Sequence, residues 1–289
     1  MISVVIPVFN NAAQLPKLIP ELHMVFSELN IPFEVILVDD ASKDTSLDVC
    51  KQLARELKFV KSIALSHNVG QHKAIFKGLQ KTKGDKVLIM DADGQDSPAV
   101  IHELYQNAIN DIDAVLVVRQ NRKSKLADRI SSFLFYFVWS LLGQKKAKAH
   151  ASNFGLYSKS LIDAILSTNL PPYSMQLIAL KLNAPLKYIN AEHRESATSA
   201  YNLKKRWELA VKIFYLYAYK SLRRLLLIGI VFILVANSIL VRFLLKGYAN
   251  LKWPMVDAFL ISIFMLLGAM FLFLFFSCYR VKKHNLQID

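Results

Sequence analysis

Lys86-Val87-Leu88-Ile89-Met90-Asp91-Ala92-Asp93-Gly94-Gln95-Asp96-Ser97-Pro98 is a short apolar run that stops at a cluster of acids. An uninterrupted apolar run of this length, with no polar alternation, reads as a strand covered on both faces, which is the habit of parallel sheets. Phe33 to Asp39 repeats the pattern and also stops at acids, Asp39-Asp40. Ser3–Val8, Val60–Ser66 and Ala114–Val118 read as further strands, and helical patterns fill the gaps. The first 118 residues are therefore expected to form a doubly wound, Rossmann-like α/β domain with a mostly parallel sheet. Ligands of such sheets bind beyond the carboxyl ends of the strands. Here those ends carry Asn10-Asn11, Asp39-Asp40, Ser66-His67-Asn68 and Asp91-Ala92-Asp93, four polar loops converging on one crevice.

The whole chain, 289 residues and 54% hydrophobic, is too apolar for one soluble core of this kind. Leu225–Val241, extended by Phe243–Leu245 after Arg242, and Ala258–Cys278 are each about long enough to cross a bilayer, and read as transmembrane helices rather than buried core helices. Met1-Ile2-Ser3 leads straight into a strand with no basic n-region, so no signal peptide is expected and the N-terminal domain is assigned to the cytoplasm. Cys50 and Cys278 lie far apart, which suits a reducing compartment and offers no metal or redox motif.

The formal charge of +14 is concentrated in residues 119–224, where 19 Lys and Arg face 5 Asp and Glu. This basic stretch runs into a membrane helix, so anionic membrane lipid and a phosphorylated substrate are better partners than nucleic acid, and no nucleic-acid partner is expected. After Arg119 the strand–helix alternation breaks down into a basic segment and an aromatic-rich helix around Phe133–Leu142. Within 203–221, Lys204, Lys205, Arg206, Lys212 and Lys220 interleave with Trp207, Phe214, Tyr215 and Tyr219, the mixture of an interfacial amphipathic helix. Arg223, Arg224, Arg280, Lys282 and Lys283 flank the spans on one side, against Lys246 and Lys252 between them. The helices of 222–289 thus form a hairpin with both termini cytoplasmic. Nothing in the pattern excludes a homo-oligomer.

Asp91 and Asp93 on a tight turn offer two carboxylates to a hard divalent cation, Mg²⁺ or Mn²⁺, which keeps positions open for substrate phosphate oxygens. An isolated Asp-x-Asp is more often a turn or cap, but Gln95, Asp96 and Pro98 follow it directly after a hydrophobic strand. His67 and His72 have no third His or Cys nearby and are left out of the metal site. Asp39-Asp40 also matches the acidic pair of phosphoryl-accepting receiver domains, which would leave the Asp-x-Asp and the membrane hairpin unexplained.

Taken in order, Val4-Val5-Ile6-Pro7-Val8-Phe9-Asn10, Val38-Asp39-Asp40-Ala41-Ser42-Lys43-Asp44, Asn68-Val69-Gly70-Gln71-His72-Lys73-Ala74 and Asp91 to Pro98 resemble the GT-A fold family 2 glycosyltransferases. Within them the chain is similar to the polyprenyl-phosphate sugar transferases. The resemblance continues through Arg119-Gln120-Asn121-Arg122 and Arg129-Ile130-Ser131-Ser132 to Arg194 and Ser199-Ala200-Tyr201-Asn202, covering roughly residues 1–220, and the paired C-terminal helices look like those of bacterial members.

The resemblance implies a GT-A catalytic domain over 1–202, with a nucleotide-binding half (1–118) and an acceptor half (119–202). Pro7, Val8, Asn10, Asp39 and Asp40 would hold the base and ribose of a UDP- or GDP-linked sugar, with Asn68, Gln71 and Lys73 in a donor-binding loop. Asp91 and Asp93 would hold the metal on the donor diphosphate, beside Ala92, Gln95 and Asp96, and Arg119 and Arg129 would grip phosphate. Between Arg129 and Trp207 the only acids are Asp163, Glu192 and Glu195, so the Glu-Asp pair that supplies a base in many hydroxyl-glycosylating relatives is not evident. A phosphate monoester needs no base, which favours a polyprenyl phosphate acceptor and inverting transfer. A hydroxyl of a lipid-linked glycan, activated by one of those three acids, is the alternative, and a non-catalytic nucleotide-binding protein is a third reading. Ser152 to Lys159 and Tyr173-Ser174-Met175-Gln176 depart from the family pattern, the latter lacking an expected arginine.

Overall fold

The computed structural model describes residues 1–108, 111–120, 126–141, 147–148, 151–168, 173–192, 203–218, 222–245 and 254–285, with side chains at fewer positions. They divide into two compact units, one of 1–132 with 145–200 and one of 133–144 with 201–289.

The first unit is built on seven strands, β1 (Ile2–Val8), β2 (Phe33–Asp39), β3 (Val60–Ala64), β4 (Lys86–Ile89), β5 (Ala114–Gln120), β6 (Ala151–Ser158) and β7 (Leu186–Glu192), in the order β3-β2-β1-β4-β6-β5-β7. Every residue of β1 is buried, as is all of β2 after Phe33, because helices cover both faces. These are α1 (Leu15–Glu28), α2 (Ser46–Glu56), α3 (Gln71–Leu79), α4 (Val100–Asn107), α6 (Lys159–Ser167) and α7 (Met175–Lys181). The pairs β1–β2, β1–β4, β2–β3 and β5–β7 are parallel.

The sheet is nevertheless mixed, since β6 runs antiparallel to both β4 and β5. The expected breakdown of alternation after Arg119 is thus corrected: β6 and β7 complete the sheet. Both lack the continuous apolar signature. β6 opens Ala-Ser-Asn and contains Gly155, whereas in the edge strand β7 exposed Lys187 and Asn190 interrupt Leu186, Tyr188 and buried Ile189.

The amino ends of the strands are tied by a buried polar knot. Ser3 Oγ donates to Glu34 Oε1 (2.7 Å) and accepts from the backbone N–H of Gly84 (2.8 Å) and Lys83 (3.1 Å), while Lys61 Nζ pairs with Glu34 Oε2. Burial opposes ionisation of Glu34, but the hydrogen bonds from Lys61, Ser3 and Lys83 outweigh it and hold its carboxyl below the usual 4.5.

In the second unit, the C-terminal part of α5 (Leu126–Leu141) joins α8 (Leu203–Ala218), α9 (Leu222–Leu245) and α10 (Pro254–Asn285). Phe135 packs on Phe214 (4.9 Å between centroids) and Trp207 on Phe273 (5.8 Å). α9 and α10 cross at two glycines: a Cβ on Gly268 would lie 2.6 Å from Ile233 Cγ1 and 3.1 Å from the Gly229 carbonyl. Two transmembrane helices were expected here. The chain is helical over both segments, but among the described residues no helix is long and apolar enough to cross a membrane. The side chains described without interruption, 226–242 and 259–273, stop short of the roughly 20 apolar residues a crossing takes.

Ser3→Ala leaves two backbone donors and Glu34 without their shared partner, and is expected to cost roughly 1–3 kcal/mol in urea unfolding at pH 7. Because the fold favours ionised Glu34, its contribution is complete above the ordinary pKa of 4.5 and drains away as pH falls through the lowered native value. The stability gap between wild type and Glu34→Gln should accordingly be wide at pH 7 and closed in strong acid.

Candidate active site

Pro7 and Val8 end β1 inside the core, and the chain then turns through Asn10 at φ 56°. Asparagine tolerates this left-handed conformation, and its side chain is put to use: Asn10 Oδ1 accepts from Lys43 N (2.8 Å), and Asn10 N donates to Ser42 Oγ (3.1 Å). The loops after β1 and β2 are thereby sewn together. Asp39, fully buried, accepts from Ser42 N with Oδ2 (3.1 Å), while its Oδ1 has no hydrogen-bond partner among the described residues.

Asp40, 2% exposed, turns the other way. Its two carboxylate oxygens accept from Val69 N (2.7 Å) and Gly70 N (2.8 Å), and its carbonyl accepts from Asn68 Nδ2 (3.2 Å). Gly70 sits at φ 88°, where only glycine is unstrained, and α3 begins at the next residue, Gln71. Lys73, one turn on, is exposed, and the His72 ring meets the edge of Tyr173 at 5.3 Å.

The acids after β4 are held by groups from two other places in the chain and by their own loop. Gln71 Nε2 donates to Asp91 Oδ1. Arg119, on β5, reaches Asp91 Oδ2 (3.4 Å) and Asp96 Oδ1 (3.0 Å). Asp93 is exposed and its Oδ1 accepts from Gln95 N (3.0 Å) across a turn that Gly94 makes at φ 75°, whereas Ala92 is buried between the two acids. Burial, with the like charges of Asp96 and Asp93 outweighing the pull of Arg119, pushes the Asp91 carboxyl up to about 6. Burial raises Asp96 as well, with Arg119 opposing. Asp96 Oδ2 and Arg119 Nε are buried without partners among the described residues.

Three acids around one guanidinium leave surplus negative charge and an unused buried carboxylate oxygen, which a divalent cation fits. Among the described residues no group of three or more His, Cys, Asp or Glu is arranged to hold a metal. Mg²⁺ and Mn²⁺ sites commonly take one or two carboxylates and complete their shell with water and substrate phosphate, so the pair Asp91 and Asp93 meets that lesser requirement.

All the expected residues at the strand ends are thus gathered in the first unit. Arg119, expected to grip phosphate, is engaged here with Asp91 and Asp96. Arg129 lies in the first turn of α5, its side chain outside the described residues, as are Glu195 and the Glu192 side chain; Asp163 pairs with Lys159 on an exposed helix turn (2.9 Å). The ties Gln71–Asp91, Arg119–Asp96 and Asp40–Gly70 join residues 20 to 30 apart in sequence, and no local pattern announces them.

Arg119→Ala would strip the counter-ion from two carboxylates and is expected to cost about 2–4 kcal/mol in thermal or urea unfolding, less than for sealed pairs because Asp91 keeps a quarter of its side chain in solvent. With its native pKa raised above 3.8, Asp91 makes the metal-free fold lose stability as pH climbs to about 6. The penalty of Arg119→Ala should therefore be smaller at pH 5 than at pH 7.5.

Comparison with known proteins bears on the family and the fold. The sequence pattern described as Glycosyl transferase family 2 matches residues 3–165. The undecaprenyl-phosphate 4-deoxy-4-formamido-L-arabinose transferase of Pectobacterium carotovorum subsp. carotovorum (strain PC1) is 30% identical over 278 residues, 93% of this chain and 84% of that protein. Among solved structures, mannosyl-3-phosphoglycerate synthase from Rubrobacter xylanophilus is similar with a TM-score of 0.54 at 16% identity, covering 78% of this chain and 73% of that one. Glucosyl-3-phosphoglycerate synthase from Mycobacterium tuberculosis, in complex with Mn²⁺, uridine diphosphate and phosphoglyceric acid, gives 0.52 at 15% identity, covering 74% and 76%. At those identities the likeness speaks for the fold, the α/β GT-A fold with its mixed seven-stranded sheet. A domain matched from β1 into α6, with its acids gathered past the ends of β2 and β4, belongs to an enzyme of glycosyl transferase family 2.

Proposed function

We propose that this protein transfers a sugar from a nucleotide-diphosphate sugar, UDP- or GDP-linked, to a polyprenyl phosphate at the cytoplasmic face of the cell membrane, with inversion at the anomeric carbon. The observation that carries the reading is the cluster of Asp91, Asp93, Asp96 and Arg119 past the end of β4 in a family 2 domain. The acceptor class is supported by the undecaprenyl-phosphate transferase from Pectobacterium, and by the scarcity of acids between Arg129 and Trp207.

The base and ribose are assigned to the ends of β1 and β2, near Pro7, Val8 and Asn10, where the unpartnered Asp39 Oδ1 supplies an acceptor for a ring N–H. Asp91 and Asp93 would hold a divalent metal together with the donor diphosphate, with Gln95 and Asp96 alongside. When bound, that metal neutralises the charge that grows on the departing nucleotide. Arg119 and Arg129 are assigned to the phosphates, as guanidinium forks suit bidentate phosphate contacts. The acceptor oxygen is already anionic at neutral pH, so what the protein must supply is alignment for in-line attack.

Residues 203–221 are assigned to the membrane interface and 222–289 to a membrane hairpin with cytoplasmic termini. The outward residues of α9 and α10 support this: Leu234, Phe259, Leu266 and Phe273 are each at least 60% exposed, a surface suited to lipid rather than water.

Purified full-length protein incubated with UDP- and GDP-sugars, Mn²⁺ and polyprenyl phosphate should yield a sugar-phosphate lipid, read by mass. Asp93→Ala should abolish turnover with folding intact. Single amide replacements of Asp163, Glu192 or Glu195 should stay within about tenfold of wild type, as base catalysis typically supplies 10²- to 10⁴-fold where it operates. A loss of several hundredfold from one of them would move the assignment to a hydroxyl acceptor. For the membrane arrangement, Asn250→Cys should react with an impermeant thiol reagent from outside intact cells, and labelling confined to broken cells would overturn the hairpin.

A further inference from the structure

Asp40 stands at the base end of the cleft, yet both of its carboxylate oxygens are spent on the chain itself. Two charge-assisted bonds of 2.7 and 2.8 Å run to consecutive backbone N–H groups, Val69 and Gly70, and Asn68 Nδ2 adds a third tie at 3.2 Å to the Asp40 carbonyl. A carboxylate 2% exposed and doubly bonded in this way is a fastening. What it fastens is the entry to α3: Gly70 is the last residue before the helix, and Gln71, the first within it, donates to Asp91 Oδ1. Asp91 Oδ2 is met by Arg119, so the Asp91 carboxylate has one oxygen positioned from β5 and the other from this loop.

We infer that Asp40 is a positioning residue that acts through the 68–70 loop and Gln71 on Asp91, coupling the base end of the donor cleft to its diphosphate end. This rests on the donor-site reading above and extends it to a relay, Asp40 to Gly70 to Gln71 to Asp91, spanning the carboxyl ends of β2 and β4. Loosening the first link lets α3 start in more than one place, and the far carboxylate loses the donor that orients it. The effect reaches a ligand that has no base.

That difference supplies the test. Inorganic pyrophosphate with Mn²⁺ occupies the diphosphate end alone, whereas UDP with Mn²⁺ spans both ends. Titration calorimetry on the full-length protein should find Asp40→Asn weakening both ligands roughly tenfold or more, and the milder Gln71→Ala and Asn68→Ala, at exposed positions, weakening both by a few-fold. Joining Asp40→Asn to Gln71→Ala should cost less than the product of the single effects, since both cut one relay. Thermal unfolding checks each variant, and Asn68→Ala carries the test if Asp40→Asn does not fold. Weakened UDP with unchanged pyrophosphate in Asp40→Asn or Asn68→Ala would assign these residues to the base and overturn the relay, as would fully multiplicative effects in the double variant. A wild-type protein that binds neither ligand would overturn the donor-site reading and the relay with it.

Discussion

A strand covered by helices on both faces shows its polar groups at or past its ends, and β1 and β2 are buried along almost their whole length. Parallel pairing of β1 with β2 and β4 brings those ends to the same edge of the sheet. Every polar residue discussed for the cleft, from Asn10 to Asp96, follows from that constraint: the loops are where backbone groups can find side-chain partners, and the side chains there are short and polar. The amino ends obey the same rule with a different result. Ser3, Glu34, Lys61 and the Lys83 backbone close on one another.

At the cleft the closure is incomplete. Among the described residues Asp39 keeps an unpartnered oxygen and Asp96 another, and Asp91 carries a carboxyl pushed up to about 6 by burial and like charge. A buried acceptor without a donor costs about 1–3 kcal/mol, so the cleft holds back free energy that the amino-end knot has released. Groups held in that state gain from the arrival of a cation or an N–H donor, which is the physical support for the donor site proposed above.

The second unit presents the opposite balance. Its interior contacts are aromatic and small-residue packing, Phe135 on Phe214 and Gly229 against Gly268, while large apolar side chains such as Leu266 and Phe259 point outward. A surface of this kind is stable where the surroundings are themselves apolar. Under the proposed polyprenyl-phosphate reading, that would put the lipid-soluble acceptor and the enzyme in the same medium.

The strands that lead into the cleft were legible in the sequence, most plainly β1, β2, β4 and β5, where two-faced burial writes a largely apolar run, and the acids were legible because they stand directly after such runs, as Asp39-Asp40 and Asp91-Ala92-Asp93 do. The strands β6 and β7 were not, since an antiparallel strand holding Gly155 and an edge strand interrupted by Lys187 and Asn190 carry no such run. Nor could the sequence say which acid was spoken for. Asp39 and Asp40 are neighbours of the same type, yet among the described residues one keeps a bare oxygen and the other fastens a loop 30 residues away. Arg119 read as a phosphate ligand because its type suits one, and only folding set it between Asp91 and Asp96. The sequence by itself determined which residue types arrive at the sheet's carboxyl edge, because burial is a local pattern. Their partners were decided by the tertiary structure alone, because a hydrogen bond depends on distance and direction between chain segments that only folding brings together.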